Sequence, residues 1–288
     1  MRIRYNLLKR LATGWLLVFG GLIVWQCASH PVSYLTDRSD RIHETFWNTD
    51  SLIYGFLMEG TRYRTPVFHL KGVEEGLAVL ILGGTHGNEP AGFEAAHRLL
   101  EQYARIPLKK GDLFIIPEAN KVADRRNLRY IRVPRGVDQE MGNLNRSYPG
   151  NSSGLPMERE AQQITELIRE LDIDLLLDLH ESPNFLLESQ DSTGRYRRLG
   201  QSLVYTPNEA ATWLAMVVLD ELNSIIPAGN RQFSLVTSPI KHSAAWSAGE
   251  YFQIPAFTIE TSKQMPLEER IHYHVRTVHI IFNELGML

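Results

Sequence analysis

Along the chain, unbroken apolar runs alternate with stretches in which apolar positions recur every three to four residues. The clearest run, residues 77–82 (LAVLIL), ends in Gly83-Gly84 and offers no polar position to water, so it predicts a strand buried on both faces. Further strands are predicted at 113–116, 174–179 (DLLLDL), 202–206 and 256–259. Helical spacing predicts helices at 90–103, where Phe93, Ala96, Leu99 and Leu100 share a stripe, and at 157–171, where Ile164, Leu167, Ile168 and Leu171 do. Helices are also predicted at 208–225 and 267–285. Strands alternating with helices imply an α/β fold, a mixed and mostly parallel central sheet with helices on both faces. Residues 121–154 break the pattern: they are long, polar and rich in Arg, Asn and Gly, the profile of a functional loop.

The first 50 residues differ from the rest. Arg2, Arg4, Lys9 and Arg10 precede an uncharged stretch at 11–29 that contains Trp15, Leu16, Leu17, Val18, Phe19, Leu22, Ile23 and Val24. As a helix it would be about 28 Å long, against a hydrocarbon core of about 30 Å. The basic flank predicts a cytoplasmic stub at 1–10, a transmembrane anchor or signal segment at 11–29, and export of the remaining chain. A cleaved signal peptide is the competing reading, with Ala28 or Ser29 as the small residue at the cut. Residues 30–50 read as a polar linker, and 51–288 as one catalytic-sized domain on the outer side of the membrane.

Composition narrows the function. The chain is 43% hydrophobic and 22% charged, as globular proteins are, and its net charge of −3 argues against a nucleic-acid partner. A single cysteine, Cys27, excludes both an intrachain disulfide and a thiolate metal site, so any metal must be held by His and carboxylate. Three segments carry such groups directly after apolar runs. In GGTHGNE, His86 and Glu89 stand three apart at the start of a helix, where an imidazole and a carboxylate can converge on one ion. The bare pattern carries little, since among 10 histidines a chance His-x-x-Glu arises with a probability of about one half. A surface turn with a helix-start Glu is the plain alternative. In LLLDLHES, His180 follows a second buried run; alone, it reads equally as a histidine satisfied by a loop carbonyl. Asp178 shares its strand face and reads as a supporting acid, while Glu181 is open between support and solvent. In FTIET, Glu260 ends a third run. A His₂Glu site with an open position needs a nearby base, and Glu260 shares that sheet edge, a capping role being the alternative. Histidines 272, 274 and 279 read as packing or surface groups.

The order of these motifs adds what none gives alone. HGNE, N..A.....RY, LNRSYPG, DLHES and PAFTIET, spread from about residue 77 to 261, resemble the zinc carboxypeptidase superfamily, and most closely its succinylglutamate desuccinylase/aspartoacylase branch. The resemblance implies one zinc ion held by His86, Glu89 and His180, with Glu260 as general base. It implies that Arg129 polarises the scissile carbonyl, and that Asn145 and Arg146 hold a free carboxylate of the substrate. Two positions depart from the family pattern: Asn143 stands where an Asp is usual, and Lys121 follows Asn120 where a Pro is usual. The tyrosine that many carboxypeptidases carry before the catalytic Glu has no clear counterpart, since Trp246 and Tyr251 read as helix packing. The expected activity is hydrolysis of an amide next to a free carboxylate, with short or cell-wall peptides first and N-acyl amino acids second. A membrane-anchored binding protein without turnover is the reading from another class.

Overall fold

The computed structural model describes residues 52–193 and 198–288, so the predicted membrane segment and linker lie outside the described residues. Among the described residues no helix is long and apolar enough to cross a membrane. In chain order the strands are β1 (Ile53–Leu57), β2 (Thr65–Lys71), β3 (Glu74–Leu82), β4 (Lys110–Ile116), β5 (Leu175–Ser182), β6 (Ser202–Tyr205), β7 (Ser234–Val236) and β8 (Ala256–Ser262). The helices are α1 (Pro90–Arg105), α2 (Lys121–Asp124), α3 (Pro156–Glu170), α4 (Glu209–Ile225), α5 (Ala244–Ser247) and α6 (Leu267–Glu284).

The strands form one sheet in the order β1-β2-β4-β3-β5-β8-β6-β7. Its centre, β4-β3-β5-β8, is parallel, while β1, β2 and β6 pair antiparallel with their inner neighbours. Those flanking strands β1 and β2, and the short β7, carry no long apolar run: TPVFHLK mixes a proline and two basic residues into its seven positions, which hides the strand from a periodicity reading. The four predicted helices agree with α1, α3, α4 and α6 to within two residues at each end.

Alternation along the central strands divides the core. Leu80, Leu82, Phe114, Ile116 and Leu176 pack with Met157, Ala161, Ile164 and Ile168 of α3. The intervening positions Val79, Ile81, Leu113, Ile115 and Leu177 are also fully buried, and the α1, α6 and α4 helices pack in succession, with α1 against β5. Both faces are therefore covered, as a parallel centre requires. Leu99 of α1 is wholly buried, and truncating such a side chain to Ala costs about 2–5 kcal/mol.

Topology places the site. From β3 the chain crosses through α1 to β4 on one side, and later returns to β5 on the other, so β3 and β5 flank a point where the winding reverses. Ligands of open α/β sheets bind in the crevice beyond the carboxyl ends of such strands. The helix stripe of α1 is graded to match: Ala91, Gly92, Ala95 and Ala96 near its start, then Leu99, Leu100 and Tyr103. A Cβ on Gly92 would lie 2.3 Å from the carbonyl oxygen of Leu179, so only glycine lets the helix start sit this close to β5.

Candidate metal centre

His86 and Glu89 lie on the turn from β3 into α1, where Pro90 opens the helix at a position that needs no N–H donor. Glu89 is the N-cap residue, yet its side chain caps nothing in its own helix. Instead it is buried and faces both imidazoles: Oε1 is 3.0 Å from His86 Nδ1, and Oε2 is 2.9 Å from His180 Nδ1. The two Nδ1 atoms are 3.1 Å apart. Donor atoms from His86, Glu89 and His180 all fall within 4.8 Å of one another, the one such group among the described residues. The turn reaches this position because Gly87 packs against α2: a Cβ there would lie 2.1 Å from the backbone of Ala123 and Asp124.

His180 and Glu260 correct the sequence expectation in one respect. Both sit inside strands rather than after them, because β5 and β8 extend together to Ser182 and Ser262, with His180 opposite Glu260 in register. Residues HES and ETS look like loop chemistry, but their backbones continue the parallel ladder while their side chains are almost all buried. A sheet edge is a stiffer mount for a ligand and a base than a loop is.

The surroundings of each imidazole decide which nitrogen faces the cluster. His86 Nε2 is 3.0 Å from Asn143 Oδ1, an oxygen that also accepts the backbone N–H of Asn145 at 3.1 Å. An acceptor there favours N–H on Nε2 and leaves Nδ1 its lone pair. His180 Nε2 approaches Asp178 Oδ2 to 2.8 Å, although the pair lacks the alignment of a hydrogen bond. Asp178 is fully buried and is itself oriented by the Thr85 hydroxyl, which donates to Oδ1 at 2.8 Å. Two imidazole nitrogens and a carboxylate converging from three directions are an acceptor-rich set that suits a divalent cation, and zinc in particular takes two His and one Glu with a fourth position open. Burial lowers the pKa of His86. Burial acts likewise on His180, but the Asp178 and Glu89 carboxylates outweigh it and raise His180 well above its usual value. A proton on His180 would offset part of the charge of these two carboxylates, and metal binding would release it.

Glu260 borders this cluster. Burial, reinforced by Glu89 and Asp178 and opposed by His180 and Arg129, pushes its pKa up to about 7, and its Oε2 is buried without a hydrogen-bond partner. A buried carboxylate with one free oxygen beside a candidate cation site is placed as a general base would be. Glu181, left open by the sequence, turns away from the cluster. Its Oε2 accepts the Ala91 N–H at 2.9 Å, its Oε1 pairs with Arg270 of α6, and its own N–H donates to Glu89 Oε2 at 3.0 Å. It therefore ties the start of α1 to β5 and aims Glu89. No sequence spacing signals this, because the partners come from the start of α1 and from α6, both far from Glu181 in the chain.

The predicted loop 121–154 is ordered into α2 and two single 3₁₀ turns, Gln139–Gly142 and Leu144–Arg146. From it, Arg129 Nη1 donates to Glu89 Oε1 at 2.9 Å, while the side chain stays 42% exposed, so the guanidinium spans from the cluster to the open side. Asn145 is buried, and its Oδ1 accepts the Ala244 N–H of α5 at 3.3 Å. Arg146 is half-buried and donates to the Asn145 carbonyl at 2.7 Å; burial and the nearby Arg129 charge lower its pKa. Trp246 and Tyr251 pack edge to face, with ring centres 5.6 Å apart, but Tyr251 stays 53% exposed, so the packing expected of it is one-sided. His274 is buried on α6 and meets the Thr261 hydroxyl at 3.2 Å.

Comparison with known proteins agrees with this geometry. Residues 75–283 match the succinylglutamate desuccinylase/aspartoacylase catalytic domain. Over 106 residues the chain is 33% identical to an N-alpha-acetyl-L-2,4-diaminobutyric acid deacetylase from Halomonas elongata, a stretch covering 37% of this chain and 29% of that protein. Its fold is similar to that of the cell shape determinant Csd4 from Helicobacter pylori, with a TM-score of 0.65 at 20% identity, over 78% of this chain and 55% of that one. A second structure of that protein, bound to mDAP, describes it as a D,L-carboxypeptidase. An aspartoacylase family protein from Mesorhizobium loti gives a TM-score of 0.57 at 22% identity, over 78% of this chain and 62% of that one. This chain thus spans less than two thirds of the length of each of these relatives.

Proposed function

As the chain belongs to the succinylglutamate desuccinylase/aspartoacylase family of hydrolases, we propose that it is a zinc-dependent amidohydrolase that cleaves an amide next to a free carboxylate. The observation that carries this reading is the convergence of His86, Glu89 and His180 on one point, with Glu260 paired beside His180 on the same sheet edge. His86, Glu89 and His180 would hold the ion, and zinc bound there supplies Lewis acidity and brings the pKa of water toward about 7.

The chain's own groups do the rest. The Glu260 carboxylate takes the proton of the attacking water and later delivers it to the leaving amine. Arg129, reaching over the cluster, meets the oxygen on which negative charge develops. Arg146, with Asn145, pairs with the substrate carboxylate and fixes which bond lies over Glu260. Burial around β5 and β8 limits bulk water at Glu260 and the three clustered side chains and strengthens the contacts there, while Arg129 and Arg146 stay partly open to solvent.

Short peptides with a free carboxylate, including cell-wall peptides, are the substrates this reading puts first. Csd4, a D,L-carboxypeptidase, has the same fold, and the expected export of the domain would place it among such peptides. A second reading, N-acyl amino acid deacylation, has its own support in the likeness to the Halomonas deacetylase. Assay of matched peptide and N-acyl amino acid panels separates the two. Glu260→Gln tests the shared chemistry: zinc content stays at the wild-type level while kcat falls by about 10²–10⁴. A variant that turns over at the wild-type rate removes Glu260 from the reaction.

A further inference from the structure

We infer that Glu140 is a positioning residue for the metal centre, acting through the side-chain amide of Asn143 to hold His86 in the ligand-competent tautomer. This rests on the reading of His86 as a metal ligand. An amide, unlike a carboxylate, can present either oxygen or nitrogen to its neighbour, and the two orientations have opposite consequences here. With oxygen toward His86 Nε2, that nitrogen carries the proton and Nδ1 is free to bind a cation. With NH₂ toward Nε2, the proton moves to Nδ1, the atom that faces Glu89 and His180.

Two contacts choose between them. The Asn143 Nδ2 donates to Glu140 Oε2 at 2.9 Å, and the Asn145 N–H donates to Asn143 Oδ1 at 3.1 Å. Flipping the amide would set its NH₂ against a backbone N–H and its oxygen against a carboxylate, two repulsions in place of two hydrogen bonds. Asn143 is fully buried, so water cannot relieve the clash with the Asn145 N–H, while the half-exposed Glu140 side chain could turn away only by giving up its hydrogen bond. Glu140 lies three residues earlier in the preceding 3₁₀ turn, where the Asp138 side chain accepts its backbone N–H at 3.0 Å. The same Oε2 is 3.8 Å from Arg146 Nε, so one carboxylate faces both the ligand support and the expected substrate clamp. Negative charge that a carboxylate at position 143 would place directly on His86 is here held one hydrogen bond further out.

The arrangement predicts a reversal of sign. In the wild type, Glu140→Ala weakens Zn²⁺ affinity, measured by competition with a chelator, by about 3- to 10-fold, below the ~10–100-fold of a partner bonded directly to a ligand. In an Asn143→Asp background the orientation is no longer in question and Glu140 is only a like charge beside the introduced carboxylate, so the same Glu140→Ala change leaves affinity equal or raises it. Equal weakening in both backgrounds, or none in the wild type, overturns the inference. A second reading comes from ¹⁵N NMR of the His86 ring in metal-free protein: the Nε2–H tautomer dominates in the wild type and gives way to a mixture in Glu140→Ala. An unchanged tautomer also overturns it. If the wild type binds no zinc at all, the metal-centre reading fails by itself, and the tautomer experiment still decides the role of Glu140.

Discussion

The site is built from two halves that are made differently. One half, on β5 and β8, supplies His180, Asp178 and Glu260 from neighbouring strands whose backbones are locked in register. The other, formed by the 83–89 turn and the 121–146 segment, supplies His86, Glu89, Arg129, Asn145 and Arg146 from backbone with little regular structure. The strand half orients its imidazole with a buried carboxylate. The loop half uses an amide, and is held in place by close backbone packing at Gly87 and by the ties from Glu181 and Asn145 to neighbouring elements. The difference suits the two tasks. On the proposed reading, a base and its neighbouring ligand need a fixed separation, whereas the groups proposed to meet the substrate would sit where sequence can vary without disturbing the sheet.

Three changes would sharpen or break this contrast. The largest effect is expected for Asp178→Asn. An amide there can turn its NH₂ toward His180 and stabilise the wrong tautomer, so Zn²⁺ affinity should fall by about 10–100-fold, more than for Asn143→Ala. The reverse ranking, read by the same chelator competition, would mean that the strand half is not the more tightly determined one. Next comes Gly87→Ala, whose methyl would meet the backbone of α2. The loop half must shift, at about 1–3 kcal/mol in thermal or denaturant unfolding and with a marked loss of kcat/KM. Hydrogen exchange should localise the change to residues 83–89 and 121–146; protection lost across β5 and β8 as well would show that the halves are not separable.

The smallest effect lies behind the cluster, at Glu160. Glu160 is fully buried on α3 with neither oxygen paired, and burial raises its pKa well above the usual 4.5. Linkage fixes the sign. Above pH 4.5 the unfolded chain releases this proton and the folded chain keeps it, so stability falls as pH rises toward the folded-state value. Glu160→Gln removes that slope, and the difference in Tm between variant and wild type should grow in the variant's favour as pH rises above 4.5. A constant difference across that range would show that Glu160 is charged or paired in the folded protein.

Much of this was legible from sequence because it depends on local pattern. Unbroken apolar runs such as 77–82 suit central strands, and the residues just beyond a central strand of an open parallel sheet stand at the crevice. Position made His86, His180 and Glu260 candidates, and the resemblance of the motif order to the zinc carboxypeptidase superfamily joined them into one site. The features that escaped depend on contacts between elements. The extension of β5 through His180, Glu181 and Ser182 comes from pairing with β8, not from any propensity of those residues. Glu181 reads as an ordinary polar residue until Ala91 and Arg270 are seen on its two oxygens. Asn143 stood out in the sequence only as a departure from the usual Asp; the structure shows its amide oriented from both sides. Strands β1 and β2 lie at a flank with mixed composition, and β7 is only three residues long, so their pairing owes more to the template edge than to their own pattern.

The most direct test is zinc K-edge absorption spectroscopy of the purified full-length protein, with metal content measured on the same sample. One zinc per chain, with two imidazoles and oxygen donors in its coordination sphere and loss of the imidazole signal in His86→Ala and His180→Ala, is the predicted result. A protein that hydrolyses its substrate with no bound metal, or whose zinc keeps an unchanged shell in both variants, would contradict the account.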